Sequence, residues 1–156
     1  MILRRATHHD AEILFTWRND SLTRANSINT NKVLWEAHLA WLSKTVLNPM
    51  RFLFIAENES NIPVGTIRAD EENAGTYELS WTVAPKERGK GLGKKMVRAV
   101  LGEDFLKNKE IKAQIKESNI PSIKIVKSLG FNLKTKNDDG LTEWVLSNRE
   151  GAIIHL

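Results

Sequence analysis

The sequence predicts one mixed α/β domain, and three observations indicate this class. In the N-terminal third, apolar residues recur at helical three- and four-residue steps in two segments, 11–18 and 31–47. Three short segments rich in β-forming residues follow between residues 51 and 84, separated by turn residues. The last third alternates strand and helix patterns. The predicted order is helices first, then an antiparallel meander, then a strand–helix–strand unit.

The first elements follow from local signals near the N-terminus. Residues 2–6 form a predicted strand, and Thr7-His8-His9-Asp10 has the form of a capping box that opens a helix through about Arg18. A longer helix is predicted over 31–47, because Pro49 prevents its continuation.

In the later part of the sequence, the spacing of apolar residues changes between that of strands and that of helices. Turn residues separate the strands of the meander, and Pro121 and Gly130 bound a short helix near the C-terminus. The predicted strands are 51–57, 62–70, 75–84, 110–116, 131–134 and 141–147, and the predicted helices are 91–106 and 123–129.

Length and composition bound the size of the protein and exclude several classes. With 156 residues, 41% of them hydrophobic, the chain closes one core, so we expect a single domain over 1–156. The 23 basic and 19 acidic residues are interspersed, and the net charge of +4 favours an anionic ligand over nucleic acid. Because the chain has no cysteine, it has no thiolate metal site and no cysteine nucleophile, and we expect no metal.

The lengths of the apolar runs indicate the compartment in which the protein is expected. Residues 1–6 lack the apolar stretch of a secretory signal, and no run approaches the length of a membrane span. We therefore expect a cytoplasmic protein without a membrane partner, either a monomer or a homodimer.

A glycine-rich loop, Arg88-Gly89-Lys90-Gly91-Leu92-Gly93, follows a predicted strand and opens a predicted helix. Unpaired N–H groups, the positive helix end and nearby Arg and Lys side chains make such a loop suited to phosphate. A Walker loop would need glycine at Arg88 and Ser or Thr at Lys95, and the dinucleotide fingerprint would need glycine at Lys94 or Met96. Neither ATP nor NAD is favoured.

Two segments together resemble those of a known superfamily. Residues 78–96 contain Arg-x-x-Gly-x-Gly, similar to the pyrophosphate loop of the GNAT superfamily of N-acetyltransferases. Asn119-Ile120-Pro121-Ser122, followed by Leu129-Gly130-Phe131, resembles the second motif of that superfamily. The resemblance implies a mostly antiparallel, centrally splayed seven-stranded sheet flanked by about four helices, and an acetyl-CoA co-substrate.

The resemblance also implies which residues bind acetyl-CoA. The strand before the loop pairs with the pantetheine, the loop holds the pyrophosphate, and the second motif lies along the pantetheine arm. These positions are Trp81, Thr82, Val83, Arg88, Gly89, Lys90, Gly91, Leu92, Gly93, Lys94, Asn119 and Ser122.

The catalytic positions depend on the strand before the loop. Glu78, Ser80 and Thr82 share one face of this strand. Glu78 matches the position of a general-base glutamate in several GNAT members, whereas the alternative is an exposed strand carboxylate; Ser80 is a second candidate proton acceptor. The tyrosine that many members place seven residues after the motif asparagine is replaced by Val126, and the chain's one tyrosine is Tyr77.

The N-terminal third is expected to form the acceptor side. Trp17-Arg18-Asn19-Asp20 and the helical segment 36–42 around His38 resemble bacterial amino-sugar acetyltransferases of the pseudaminic acid pathway. Ribosomal-protein N-acetyltransferases share the first feature. The resemblance implies that Arg18, Asn19 and His38 bind the acceptor, whereas the alternative assigns Arg18 and His38 ordinary structural roles.

These patterns predict an acetyl-CoA-dependent N-acetyltransferase that transfers acetyl directly to a primary amine of a small molecule. The leading acceptor is a nucleotide-linked amino sugar. The alternatives are a protein N-terminal acetyltransferase and a non-catalytic acyl-CoA-binding module.

Overall fold

The computed structural model describes residues 1–147 and confirms the mixed α/β class. The predicted domain extends to residue 156, and residues 148–156 lie outside the described part. The strands are β1 (Ile2–Arg5), β2 (Arg51–Glu57), β3 (Pro63–Asn73), β4 (Thr76–Val83), β5 (Glu110–Lys116), β6 (Asn132–Lys136) and β7 (Leu141–Leu146). The helices are α1 (Ala11–Asn19), α2 (Ser21–Asn26), α3 (Trp35–Leu47), α4 (Leu92–Leu101) and α5 (Ile120–Ser128).

The seven strands form one sheet, as the resemblance implied, and their order is β1-β2-β3-β4-β5-β7-β6. Every neighbouring pair is antiparallel except β4 and β5, which run parallel. At one edge lies β6, and all five of its residues are exposed.

The parallel pair at the centre is short. Register partners run only from Thr76 with Glu110 to Leu79 with Ala113, which is four residue pairs. Beyond Leu79, β4 continues to Val83 beside β3 alone. The sheet therefore divides along this line, as the resemblance implied.

Two apolar clusters cover the two faces of the sheet. Successive residues of a strand point to opposite faces, so Leu53 and Ile55 of β2 pack with α1 and α3, while Phe54 and Ala56 join the larger cluster with α4 and α5. Helices α1 and α3 thus lie over one face, and α4 and α5 lie over the other.

Three helix boundaries differ from the sequence-based prediction, and α2 was not predicted. Helix α5 begins at Ile120 rather than at residue 123, because Asn119 caps it. The second long helix begins at Trp35 rather than Asn31, because the side chain of Asn19 holds the backbone of Val33 and Leu34 is extended. The helix after the glycine loop ends at Leu101, where Gly102, a weak helix former, is the C-cap, and only a short 3-10 turn follows at 104–106.

The predicted capping box is present and is joined to the sheet by an ion pair. Thr7 and Asp10 cap the turn at 8–10. Asp10 is only 5% exposed, and its carboxylate accepts from both Nη atoms of Arg4 at 2.8 and 2.9 Å. Burial alone would raise the pKa of Asp10, but the hydrogen bonds from Arg4 and Thr7 outweigh it and hold the pKa below its ordinary value. This contact fixes α1 against β1.

We expect Asp10→Asn to lower the free energy of unfolding at pH 7 by about 1–3 kcal/mol, since charge-assisted bonds to a buried group are lost. The pKa of the folded state is depressed, so this contribution is present above about pH 3.9 and disappears as pH falls through the folded pKa. Urea unfolding of both proteins from pH 7 to pH 3 measures the difference. Asp104→Asn, which alters an exposed surface pair, should match the parent. If the difference in the free energy of unfolding between the parent and the Asp10 variant stays constant across this range, the stabilisation does not depend on ionisation of Asp10 and the prediction is wrong.

Candidate functional site

The last four residues of β4 have a strand neighbour on one side only. Trp81, Thr82 and Val83 pair with Ile67, Thr66 and Gly65 of β3. Within residues 1–147, no strand pairs with them on the β5 side. Their free edge therefore offers backbone hydrogen-bonding groups to an extended ligand in the gap between β4 and β5.

The glycine loop leads from this edge into α4. Gly89 and Gly91 adopt left-handed φ angles of +80° and +75°, and Gly91 is the N-cap of α4. A Cβ added at either glycine would meet no atom within 4 Å, so space stays open in front of the helix N-terminus. Open space, free first-turn N–H groups and glycine backbone make a cradle that fits a pyrophosphate.

The basic side chains of the loop differ in their partners. Arg88 donates through Nη2 to the Asp20 carboxylate and, at 3.2 Å, to Thr23 Oγ1. Lys90 pairs with Glu87 at 2.8 Å. In the described part of the chain, Lys94 makes no ion pair and stays available to an anion.

The Arg88 contact joins the glycine loop to α2. Asp20 also caps α2 by accepting from the Thr23 N–H at 3.1 Å, and the hydrogen bond from Arg88 lowers the pKa of Asp20. The carboxylate therefore stays ionised and holds the first residue of the loop against the N-terminal segment.

The second motif lies beside the first. Asn119 caps α5 by accepting from the Ser122 N–H at 3.4 Å. A Cβ on Gly93 would lie 2.8 Å from Ile125 Cδ1 of α5 and 3.5 Å from Val83, so glycine here permits α4, α5 and β4 to approach closely. The structure thus brings together the two segments that carry the resemblance.

The predicted catalytic strand face lies on the side of α1 and α3. Ser80 is opposite Arg68, which is opposite Leu53, and Leu53 packs with those helices. Directly paired residues of neighbouring strands share a face. Glu78 and Ser80 therefore face the predicted acceptor side.

Glu78 lies in a group of charged side chains on this face. It is partly buried and lies opposite Asp70 of β3 and Lys112 of β5. Burial raises the pKa of Glu78, and the neighbouring Glu72 raises it further. Lys112, 2.8 Å from Glu72, holds the pKa of Glu72 low, so the pKa of Glu78 lies above that of Glu72. A raised pKa brings Glu78 closer to the range of an effective general base.

The opposite face of β4 belongs to the core. Tyr77 and Leu79 are buried in the larger cluster, and burial raises the pKa of Tyr77. Val126 is completely buried in the same cluster. Tyr77 therefore faces away from Glu78 and the acceptor side.

The predicted acceptor residues hold their own segment together. Asn19 accepts from the Val33 N–H and donates to its carbonyl, at 2.8 and 2.9 Å. Arg18 donates to the Asn29 carbonyl at 2.9 Å. These bonds shape the loop between α2 and α3. Acceptor binding by Arg18 and Asn19 stays a prediction.

His38 is 2% exposed and lies among aromatic rings. Its ring centroid is 5.3 Å from Phe15 and 5.8 Å from both Trp35 and Trp41. Since a carbonyl only accepts, Nε2 donates to the Ala11 carbonyl at 2.8 Å. His38 thus links α1 to α3, and its contact with an acceptor stays a prediction.

Two residue groups were missed by the sequence analysis. The first is the Asp20 carboxylate that binds Arg88, for which the sequence carries no spacing signal. The second is the polar row on β3 formed by Thr66, Arg68 and Asp70, which shares the face of Glu78. Its every-other-residue polarity was visible in the sequence.

A sheet opened between two parallel strands, with a glycine loop and a helix N-terminus at the opening, defines an acyl-CoA-dependent transferase domain. The family model described as "Acetyltransferase (GNAT) domain" matches residues 1–132. The chain belongs to this family. The resemblance predicted from the sequence is thus confirmed at the level of the family.

Known relatives agree in fold. The chain is 30% identical over 150 residues to an uncharacterised protein of Methanocaldococcus jannaschii, covering 93% of this chain and 30% of that protein's length. A solved domain from the same organism has 29% identity and a TM-score of 0.80, covering 94% and 97% of the two chains. The spermidine N-acetyltransferase of Vibrio cholerae, solved with CoA and spermine, has a TM-score of 0.81 at 15% identity, covering 92% of both chains.

No group of three or more His, Asp or Glu side chains within 1–147 is placed to hold a metal ion. In the same range, no helix combines the length and apolarity needed to cross a membrane.

We expect Gly91→Val to abolish measurable acetyl-CoA binding, because a side chain would fill the open cradle. The matched control is Gly75→Val. Gly75 has a φ of +91° and, like Gly91, open space around its Cβ position, but it lies in the turn between β3 and β4. Both variants should lose about 1–2 kcal/mol of stability from backbone strain. Calorimetry with acetyl-CoA separates them, and equal affinities in two folded variants would remove the loop from the site.

Proposed function

We propose that this chain moves an acetyl group from acetyl-CoA directly to a primary amine, and that the acceptor is a nucleotide-linked amino sugar. One observation carries the proposal. The strand whose free edge faces the gap in the sheet also carries Glu78 and Ser80, on the face covered by α1 and α3. A ligand lying along that edge therefore has a candidate base beside it.

The residues around the gap suit acetyl-CoA. The β4 edge at Trp81, Thr82 and Val83 would bind the pantetheine, and Asn119 and Ser122 would lie along it. The pyrophosphate would be held by Arg88, Gly89, Lys90, Gly91, Leu92, Gly93 and Lys94. Bound acetyl-CoA supplies an acetyl thioester.

Glu78 is proposed to take the proton from the acceptor amine. A protonated amine has no lone pair for attack, so a base near the reacting nitrogen is needed at neutral pH. The raised pKa of Glu78 supports this role. Ser80, two residues on and on the same face, is the second candidate for proton transfer.

The acid for the departing thiolate is not a tyrosine in this proposal. Tyr77 is in the core, and Val126 occupies the usual tyrosine position. A water molecule would protonate the thiolate, and a backbone N–H of the open β4 edge would stabilise it by donating a hydrogen bond.

The amino-sugar acceptor rests on the N-terminal segment. Arg18 and the rings around His38 lie on the helices that cover the proposed acceptor face. Guanidinium binds phosphate and Trp stacks on a sugar or base, as a sugar nucleotide requires. The Vibrio cholerae relative is named for a small polyamine acceptor, which supports a small-molecule amine in general.

A non-catalytic acyl-CoA-binding module is the second candidate. Burial of both Val126 and Tyr77 favours it, because no phenol lies on the side of Glu78. Free thiol release from acetyl-CoA, measured with amino-sugar nucleotides, an N-terminal peptide and spermidine, distinguishes the candidates. Faster thiol release with the sugar nucleotides supports the proposal. Faster release with the peptide supports a protein N-terminal acetyltransferase, and no faster release with any of the amines supports the binding module.

We expect Glu78→Gln to lower turnover by roughly 10- to 1000-fold, as for loss of a positioned general base, while acetyl-CoA affinity is retained. Raising the pH should partly restore the rate, because more of the amine is then neutral. Steady-state kinetics from pH 6.5 to 9.5 tests this. Glu143→Gln is the matched control, since Glu143 is another carboxylate next to Lys112, at 3.3 Å from its ammonium group. Parental turnover of the Glu78 variant across this range would rule out the role.

A further inference from the structure

Arg68 on β3 is held in a fixed orientation beside the proposed reaction centre. It lies opposite Ser80, at the point where β4 leaves β5. Its Nε donates to Asp70 Oδ2 at 3.0 Å, and its Cζ lies 5.8 Å from the ring centroid of Trp41 on α3. The guanidinium is thus fixed on one edge by a carboxylate and on one face by an indole.

The other edge of this guanidinium has no hydrogen-bond partner within residues 1–147. Neither Nη atom of Arg68 makes a hydrogen bond there, and the side chain is 28% exposed. The remaining four N–H groups form the planar fork that binds phosphate or carboxylate through two parallel hydrogen bonds. An arginine already held by Asp70 and Trp41 loses little freedom when it binds such a group.

The charges around Arg68 divide the face into two regions. Arg51 and Arg68 surround the single carboxylate of Asp70, at 3.7 and 3.0 Å. On the β5 side, Glu72 and Glu143 surround Lys112, and Glu78 lies beside them. The first region is positive and the second is acidic. Arg68 and Glu78 are diagonal neighbours on adjacent strands, about 7–8 Å apart at their Cα atoms.

We propose that Arg68 determines acceptor specificity by binding an anionic group of the acceptor, phosphate or carboxylate, while the amine of the same molecule lies towards Glu78. This inference rests on the proposed function and deepens it. The face then selects amines that carry a nearby anion. A purely cationic polyamine would place positive charge against Arg68.

The experiment compares kcat/KM for four amines in the parent and in Arg68→Gln. An amino-sugar nucleotide carries phosphate, an α-amino acid carries carboxylate, and the methyl glycoside of the same amino sugar and spermidine carry neither. The parent should prefer at least one anion-bearing amine over the glycoside by about tenfold or more. Arg68→Gln should abolish that preference and change the glycoside rate less than about threefold. The anion-bearing amine that the parent prefers shows whether Arg68 binds phosphate or carboxylate.

Two variants separate recognition of the anion from general electrostatics and from misfolding. Arg51→Gln removes the other cation that approaches Asp70 and should keep the preference. Arg68→Lys keeps the charge but loses the planar fork, so an intermediate preference is expected. No preference in the parent, an unchanged preference in Arg68→Gln, or equal losses in the Arg51 and Arg68 variants would overturn the proposal.

A binding measurement makes the outcome independent of turnover. With CoA saturating the glycine loop, the parent is titrated with UDP-N-acetylglucosamine, whose nitrogen is already acylated, and with N-acetylglycine. Weaker binding of either anion to Arg68→Gln, by about tenfold, supports the inference even if no amine is acetylated and the proposed function fails. If both anions bind equally well to the parent and to Arg68→Gln, the proposed role of Arg68 is overturned. The proposed function is not affected by that result, because the thiol-release assay tests it separately.

Discussion

The short parallel pairing of β4 with β5 is the constraint on which the site depends. Four residue pairs join the strands, and no strand within residues 1–147 pairs with this edge of β4 for the rest of its length. Backbone groups left without a partner need one from water or a ligand. Because only residues 84–87, which include a 3-10 turn, separate this free edge from the glycine loop, one strand leads from the candidate catalytic carboxyl towards the candidate phosphate cradle.

Side chains alternate along β4, so its two faces have different roles. Tyr77 and Leu79 enter the core beneath α4 and α5, so this face fixes the strand in place. Glu78 and Ser80 point to the opposite face, where Arg68, Asp70 and Lys112 from the neighbouring strands surround them. The apolar face thus supports a polar surface on the other side of the strand. The positions of the charged side chains on that surface are determined by the pairing of the strands and not by loops.

Much of this architecture could be predicted from the sequence, for reasons that particular residues show. Period-two and helical patterns placed most of the strands, because these signals reflect burial on one face. The two motif segments were identified by their resemblance to the GNAT superfamily. The bounds of α3 were less predictable, since the Asn19 contact with Val33 depends on tertiary structure. The pairing of Asp20 with Arg88 joins residues 68 positions apart, and local patterns carry no information about such a contact. Arg68 was missed because its role depends on its neighbours across the strands.

The exposed edge strand β6 has a consequence for how copies of the chain meet in solution. An edge strand presents unpaired backbone groups that invite another strand to add. Here the strand is only five residues long and carries Lys134 and Lys136. Antiparallel addition of a second copy centred on Lys134 would bring the two Lys134 ammonium groups together, and it would disturb the Lys136 pair with Glu117, 2.5 Å away. Charge repulsion thus opposes growth of the sheet into fibrils at this edge.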